Sequence, residues 1–456
     1  MPAICFNMQR DNLITMSLEE DILKEIRPPP AQEKKVQAAV NDLSEKVLAE
    51  ARKIEVHVEP MLVGSVAKGT HLRDPDIDLF MLFPESTSME RLKECGLEIG
   101  RRVVGGREYY AQHPYIRGTY KGFQVDLVPC FRIRDTRAKM SAVDRTPFHT
   151  EFVRKNLQKG MADHVRLLKR FMKGVGCYGA EAKVQGFSGY LCELLIMRFG
   201  SFREVLEAAK DWKMGEKLAL PDHEGKEFDE PLTFIDPVDP TRNVASAVSL
   251  ETLLRFVMAS RSYLGKQDRK FFFPAPEEVW SADRVRTVAG KRLDNLIGIA
   301  FAKLDLIDDV LYPQLRKSLS AMTALLERAE FEVEKSTIFV DDETHLMIEM
   351  SSRVLPKSRK HRGPPVNSEN VNEFLAKWNS IGMSAPYIDD GRWWVMAQRE
   401  YERADDLLKA KLRDIPLGKD VKKLESLKVE ADDALVTKKN LAALTHHFDD
   451  RMPWER

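Results

Sequence analysis

Two acidic residues set one apart, at the head of a short apolar run, constrain this chain more than any other feature. The run Ile77-Asp78-Leu79-Phe80-Met81-Leu82-Phe83 is preceded by Asp76 and closed by Pro84. Its length, its apolar density and its proline stop read as a buried strand. Alternate residues of a strand share a face, so Asp76 and Asp78 point the same way. Two carboxylates so placed repel each other in a low dielectric unless a cation neutralises them. Oxygen ligands suit Mg²⁺. A third carboxylate, Asp126, lies inside a second apolar run, Phe123-Gln124-Val125-Asp126-Leu127-Val128-Pro129.

Upstream, the strand-like Met61-Leu62-Val63 runs into Gly64-Ser65. A glycine there lets the backbone approach a phosphate closely, with a helix start and a hydroxyl as donors. Asp-x-Asp by itself also describes a solvated strand end. The Gly-Ser upstream and the carboxylate on a second strand turn the reading to a two-metal phosphoryl-transfer site.

The chain has 456 residues, which predicts about three domains at roughly 150 residues each. Hydrophobic residues make up 43% and charged residues 31%, the balance of a soluble globular protein. No stretch approaches transmembrane length, and residues 1–18 lack the apolar core of a signal peptide. The first fifteen residues read as an extension ahead of a helix that starts at Ser17. Five cysteines without a Cys-x-x-Cys pair speak against disulfides and zinc and for a cytoplasmic protein. Lys plus Arg equals Asp plus Glu at 71 each, so any affinity for nucleic acid has to come from local patches. Candidates are Lys357 to Gly363, the set Arg132, Arg134, Arg137 and Lys139, and Lys169-Arg170-Lys173; each also reads as a solvated loop or helix face.

Periodicity predicts helices at 17–26 and 31–54, separated by Pro28-Pro29-Pro30. A strand-rich stretch follows to about Ile133, with turn points at Gly105-Gly106 and Gly118. The pattern is helical from Phe148 to about Lys213, and again from Leu250 to Tyr263 after a stiff break at Asp236-Pro237-Val238-Asp239-Pro240. Beyond Phe271, a strand at 293–303, a helix at 312–329 and strands at 336–350 predict an α/β sandwich with an antiparallel sheet. The remainder from about Ser368 is helical and charged, apart from Gly391-Arg392-Trp393-Trp394-Val395-Met396.

Longer motifs narrow the reading. They include Val125-Asp126-Leu127-Val128-Pro129-Cys130, Thr146-Pro147-Phe148-His149, Tyr178-Gly179-Ala180-Glu181 and Gly186-Phe187-Ser188-Gly189-Tyr190-Leu191-Cys192-Glu193. Asp236-Pro237-Val238-Asp239 leads into Arg242-Asn243-Val244-Ala245, and Gly391-Arg392-Trp393-Trp394 comes late. From Gly64 to Trp394 the chain resembles the archaeal type of CCA-adding enzyme, a tRNA nucleotidyltransferase. The Gly-Ser and Asp-x-Asp elements admit any polymerase-β-like nucleotidyltransferase; Thr146 to His149 and Phe187 to Tyr190 carry the narrower likeness.

The resemblance implies an α+β multidomain fold. A polymerase-β-like head (1–147) would carry the carboxylates, and a helical poly(A)-polymerase-like neck (148–270) the nucleotide-binding wall. A ferredoxin-like body (271–367) and a mostly helical tail (368–456) would grip tRNA. It implies Mg²⁺ on Asp76, Asp78 and Asp126, and nucleotide contacts from Ser65, Lys68, Thr146, His149, Lys169 and Tyr178. Arg242 would help read the base edge. Relatives often carry Arg at the Lys68 position and Glu at the Asp76 position. The implied reaction is template-independent addition of CCA to the 3′ end of tRNA from CTP and ATP, by a homodimer with no membrane association. A poly(A)-polymerase-like or oligoadenylate-synthetase-like enzyme is the alternative. From the residues alone, plainer roles stay open: a helix cap for His149, core filling for Tyr178, a solvated helix face for Lys169, a helix start for Arg242, and core packing for Trp393-Trp394.

Overall fold

The computed structural model describes residues 18–110, 114–138 and 141–456, in two compact units: residues through Pro276 with 451–456, and Glu277–Asp450. The extension expected through residue 15, together with Ser17 and Lys139, lies outside the described residues.

In the first unit, helices α1 (18–26) and α2 (Pro30–Lys53) lead into strand β1 (Glu59–Val63) and the single-turn helix α3 (Gly64–Lys68). Next come β2 (Ile77–Pro84), α4 (Met89–Val104), β3 (Arg107–Tyr110), β4 (Pro114–Tyr120) and β5 (Phe123–Arg132). The five strands form one mixed sheet in the order β1-β2-β5-β4-β3, with β2 and β5 parallel. Odd-numbered side chains of β2 (Ile77, Leu79, Met81, Phe83) pack with Val36, Leu43, Val47, Leu92 and Ile99 of α2 and α4. Even-numbered Phe80 and Leu82 join Val128 and Cys130 on the opposite face. Parity therefore carries Asp78 and Asp126 onto the face without those helices.

Two expectations for this stretch are corrected. Helix α4 interrupts the run of strands: Leu92, Gly96, Ile99 and Gly100 are buried at helical spacing, Ser88 caps its start, and Gly105 ends it in the left-handed region. Gly118 is no turn point but lies within β4; the turn is Lys121-Gly122, both at positive φ, as tight hairpins require.

The helices α5 (Thr146–Asn156), α6 (Met161–Gly174), α7 (Gly189–Phe199) and α8 (Phe202–Ala209) follow. A small sheet of β6 (Glu216–Leu218), β7 (Leu232–Asp236) and β8 (Asp239–Asn243) precedes α9 (Leu250–Gly265). Asp236 to Pro240 is thus the bend of a β-hairpin, and Arg242 lies on a strand, not at a helix start. The core of this region centres on Phe171, whose ring meets Phe202, Phe256, Tyr263, Phe271 and Phe272. Ile22 and Ile26 of α1 and the terminal Trp454 belong to the same core, Trp454 stacked on Phe271 at 5.4 Å.

The second unit begins with α10 (Ala282–Ala289), β9 (Leu296–Ala302), α11 (Asp308–Arg328), β10 (Val333–Val340) and β11 (Glu343–Met350). A subsidiary three-stranded sheet holds β12 (Ser358–Pro365), β13 (Tyr387–Asp389) and β14 (Arg392–Gln398), with α12 (Val371–Ile381) against it. Then come α13 (Ala404–Lys411), β15 (Lys428–Ala431) and α14 (Leu441–Phe448). The main sheet runs β10-β11-β9-β15, every pair antiparallel. In order of appearance these strands stand 2-3-1-4 with a helix after the first and third, the ferredoxin-like arrangement. Its last strand comes from the charged stretch beyond Ser368. The basic run at 357–363, a candidate patch that also read as a solvated loop or helix face, enters β12, and Trp393 and Trp394 lie half-buried on β14.

Candidate active site

The sheet register builds the site. Asp78 faces Asp126 across the parallel pair β2–β5, and Arg117 faces Asp126 across β5–β4. Gly64 has a φ of +70°, and a β-carbon on it would stand 2.0 Å from Asp78 Oδ2. Glycine at 64 thus makes room for the Asp78 carboxylate. A cavity of about 400 Å³ opens over these groups. Ser65, Lys68, Asp76, Asp78, Asp126, Thr146, His149, Lys169 and Tyr178 all line it. Arg242 does not: its guanidinium donates from Nη1 to Asp236 Oδ2 at 2.9 Å.

The lysines share a hidden partner. Lys68 Nζ donates to Glu193 Oε2 at 2.8 Å, and Lys169 Nζ donates to Glu193 Oε1 at 3.3 Å and to Thr70. Glu193 and Lys169 are almost wholly buried, so Lys169 is no solvated surface lysine. Burial works against the Glu193 charge, but Lys169 and Lys68 outweigh it and hold the carboxyl below its usual range.

A second buried carboxylate organises the opposite wall. Asp236 accepts from His149 Nε2 at 2.9 Å, from the Tyr190 hydroxyl at 3.2 Å and from Arg242. His149 lies within α5, not at a cap, and stacks on Tyr190 with ring centres 4.1 Å apart. Burial keeps His149 below its ordinary value even though Asp236 pulls the other way. Tyr178 packs against the helical core and also reaches the cavity. Glu193, Asp236, Tyr190 and Arg117 escaped the sequence reading as functional residues. Glu193, Tyr190 and Asp236 lay inside motifs already singled out. Arg117 was reachable by counting back from Asp126 through the Lys121-Gly122 turn. Only the folded chain shows that Asp236 gathers three donors.

The donor set has the chemistry a hard divalent cation takes, three carboxylates lining one cavity. Burial first, then the charges of Asp126 and Asp76, raise Asp78 to about 7. Burial raises Asp76 as well, with Arg117 opposing. Among the described residues, no group of three or more His, Cys, Asp or Glu side chains is arranged so that it could hold a metal ion as it stands. Asp126 is the member of the trio already engaged, by Arg117.

A mixed sheet carrying paired carboxylates, backed by a helical wall of lysines, defines a polymerase-β-like nucleotidyltransferase. Family models agree: the nucleotidyltransferase domain matches residues 44–149, the second domain of tRNA nucleotidyltransferase residues 163–273, and the C-terminal domain of CCA-adding enzyme residues 292–431. The CCA-adding enzyme of Methanosarcina acetivorans is 41% identical, covering 91% of this chain and 93% of that one. Those of Methanosarcina barkeri (41% identical, 90% of this chain, 92% of that) and Thermoplasma volcanium (38%, 89% and 91%) are similar throughout. The chain belongs to the CCA-adding enzyme family. Nucleotidyltransferases of this kind are metal-dependent, and no helix among the described residues is long and apolar enough to cross a membrane.

Proposed function

We propose the following mechanism for the enzyme's activity, the template-independent addition of CCA to the 3′ end of tRNA. The tRNA 3′-hydroxyl forms a bond to the α-phosphorus of CTP or ATP; the bond to the bridging oxygen of the β-phosphate breaks and pyrophosphate leaves. The observation that carries this reading is the side-by-side placement of Asp78 and Asp126 beneath a cavity walled by Lys68 and Lys169.

Asp76, Asp78 and Asp126 are the groups that would hold Mg²⁺. An ion held there would supply Lewis-acid chemistry, favouring loss of the attacking hydroxyl's proton and offsetting charge on the leaving group. Ser65, Lys68 and Lys169 hold the triphosphate in line, so positioning supplies much of the rate. Glu193 leaves the two lysines one net positive charge before nucleotide arrives. Thr146, His149 and Tyr178 form the wall against sugar and base. Arg242, tethered to Asp236 at the edge of the site, turns inward to help read the base. Cytosine and adenine both place an amino donor beside a ring-nitrogen acceptor, where guanine and uracil place a carbonyl beside a ring N–H, so acceptors with Arg242 separate the two sets.

The four-part division belongs to the same reading: head (1–147), neck (148–270), body (271–367) and tail (368–456), the last two gripping tRNA by shape and phosphate. So do a homodimer and a cytoplasmic location. The test is incorporation of each labelled nucleotide, with Mg²⁺, into tRNA ending at the discriminator base, tRNA ending at CC, and an unrelated hairpin. C on the first, A on the second and nothing on the hairpin is the expected outcome. ATP alone, added in runs to any RNA end, would replace it with a poly(A)-type activity.

A further inference from the structure

Both oxygens of Asp126 accept from one guanidinium. Arg117 Nε donates to Oδ1 and Arg117 Nη2 to Oδ2, each at 2.7 Å. A two-pronged guanidinium–carboxylate fork is the strongest ordinary ion-pair geometry, and lysine does not reproduce it. The sheet dictates the partnership. Arg117 of β4, Asp126 of β5 and Asp78 of β2 occupy facing positions on three adjacent strands, so guanidinium, carboxylate and carboxylate stand in one row. A divalent ion shared by Asp78 and Asp126 and the Arg117 fork therefore call on the same oxygens.

The guanidinium also has somewhere to go. The Arg117 side chain is 41% exposed, whereas that of Asp126 is 13% exposed. The Tyr109 and Tyr115 rings lie 5.4 and 5.8 Å from the guanidinium carbon and are stacked on each other. Those faces attract a cation whether or not a carboxylate is present. Arg117 can thus leave Asp126 without crossing a packed core and without giving up every favourable contact. Without any cation, three carboxylates would share one wall. With the fork closed, one of them is neutralised.

We propose that Arg117 is a built-in counter-cation that competes with the divalent metal for Asp126, so that metal loads by displacing the guanidinium. The proposal rests on the reading of Asp76, Asp78 and Asp126 as metal ligands. It separates Arg117 from residues that merely orient a ligand, because removing an orienting residue weakens metal binding and removing a competitor strengthens it.

The test uses the full chain without nucleotide and Mn²⁺ as the probe, following loss of the free-ion signal by electron paramagnetic resonance. Arg117→Gln should bind Mn²⁺ about tenfold tighter than the unaltered chain, since a fork contributes on the order of a tenfold factor. Equal or weaker binding overturns the proposal. Asp126→Asn, measured alongside, should bind Mn²⁺ more weakly; if it binds as the unaltered chain does, the metal-ligand reading of Asp126 fails, whatever Arg117 does. If Arg117→Gln does not fold, a crystal structure of the unaltered chain soaked in Mn²⁺ decides. The guanidinium should have left at least one Asp126 oxygen, and an intact fork beside bound Mn²⁺ overturns the proposal.

Discussion

Gly64 holds a backbone angle that side chains rarely adopt, and the carboxylate of Asp78 stands where its β-carbon would be. Gly64→Ala therefore has to move Asp78 or the turn into α3. The strained backbone alone should cost about 1–3 kcal/mol, read as a lower denaturation midpoint, with nucleotide addition falling further than stability explains. Asp78→Asn keeps the shape and removes the charge; incorporation should be lost while tRNA affinity, measured by filter binding, stays nearly unchanged. Equal loss of both would contradict a chemical role for Asp78. The strand period placed Asp78, because alternation is a local property; Asp76, expected on the same strand, lies just ahead of β2 and lines the cavity from there. That Gly64 shelters a carboxylate was not legible, since it depends on β1 and β2 lying side by side in register.

At the level of elements, Glu193 of α7 joins Lys68 at the end of α3 to Lys169 in α6. Glu193→Ala would leave two buried ammonium groups without their carboxylate. Breaking a buried pair from one side typically costs about 3–5 kcal/mol, which urea denaturation would read directly. Glu193→Gln, which retains an acceptor oxygen, should cost less. The spacing of α6 announced an amphipathic helix, and an amphipathic helix ordinarily sends its lysines to water. Lys169 breaks that expectation because its ammonium finds Glu193 and Thr70 in the interior. Helix α4 shows the converse: Leu92, Gly96 and Ile99 carry a helical period, yet the apolar strands on either side drew the reading toward strand.

Across the whole chain, the second unit carries an acid-sensitive latch. Burial alone would raise Glu349, but the hydrogen bonds from His447 and Arg292 and the Arg292 charge prevail and hold it at about 2, against an ordinary 4.5. A carboxyl whose folded pKa is depressed adds stability above its unfolded pKa and loses it as pH falls through the folded one. This contribution should be complete above pH 4.5 and vanish toward pH 2. His447, held low chiefly by burial, acts in the same direction from its ordinary 6.5 downward. Denaturation followed across that range should show Glu349→Gln flattening the lower limb of the profile. The sequence by itself determined the strand parity of the carboxylates, the helical runs and the family motifs, because period and composition are local and survive without a fold. Only the tertiary structure decided that β15, from the late charged stretch, completes a sheet begun more than a hundred residues earlier, that Trp454 returns to the core around Phe171, and that Arg117 meets Asp126. Those outcomes depend on which surfaces pack and which charges find a partner once water is excluded, and neither is written in the spacing of residues along the chain.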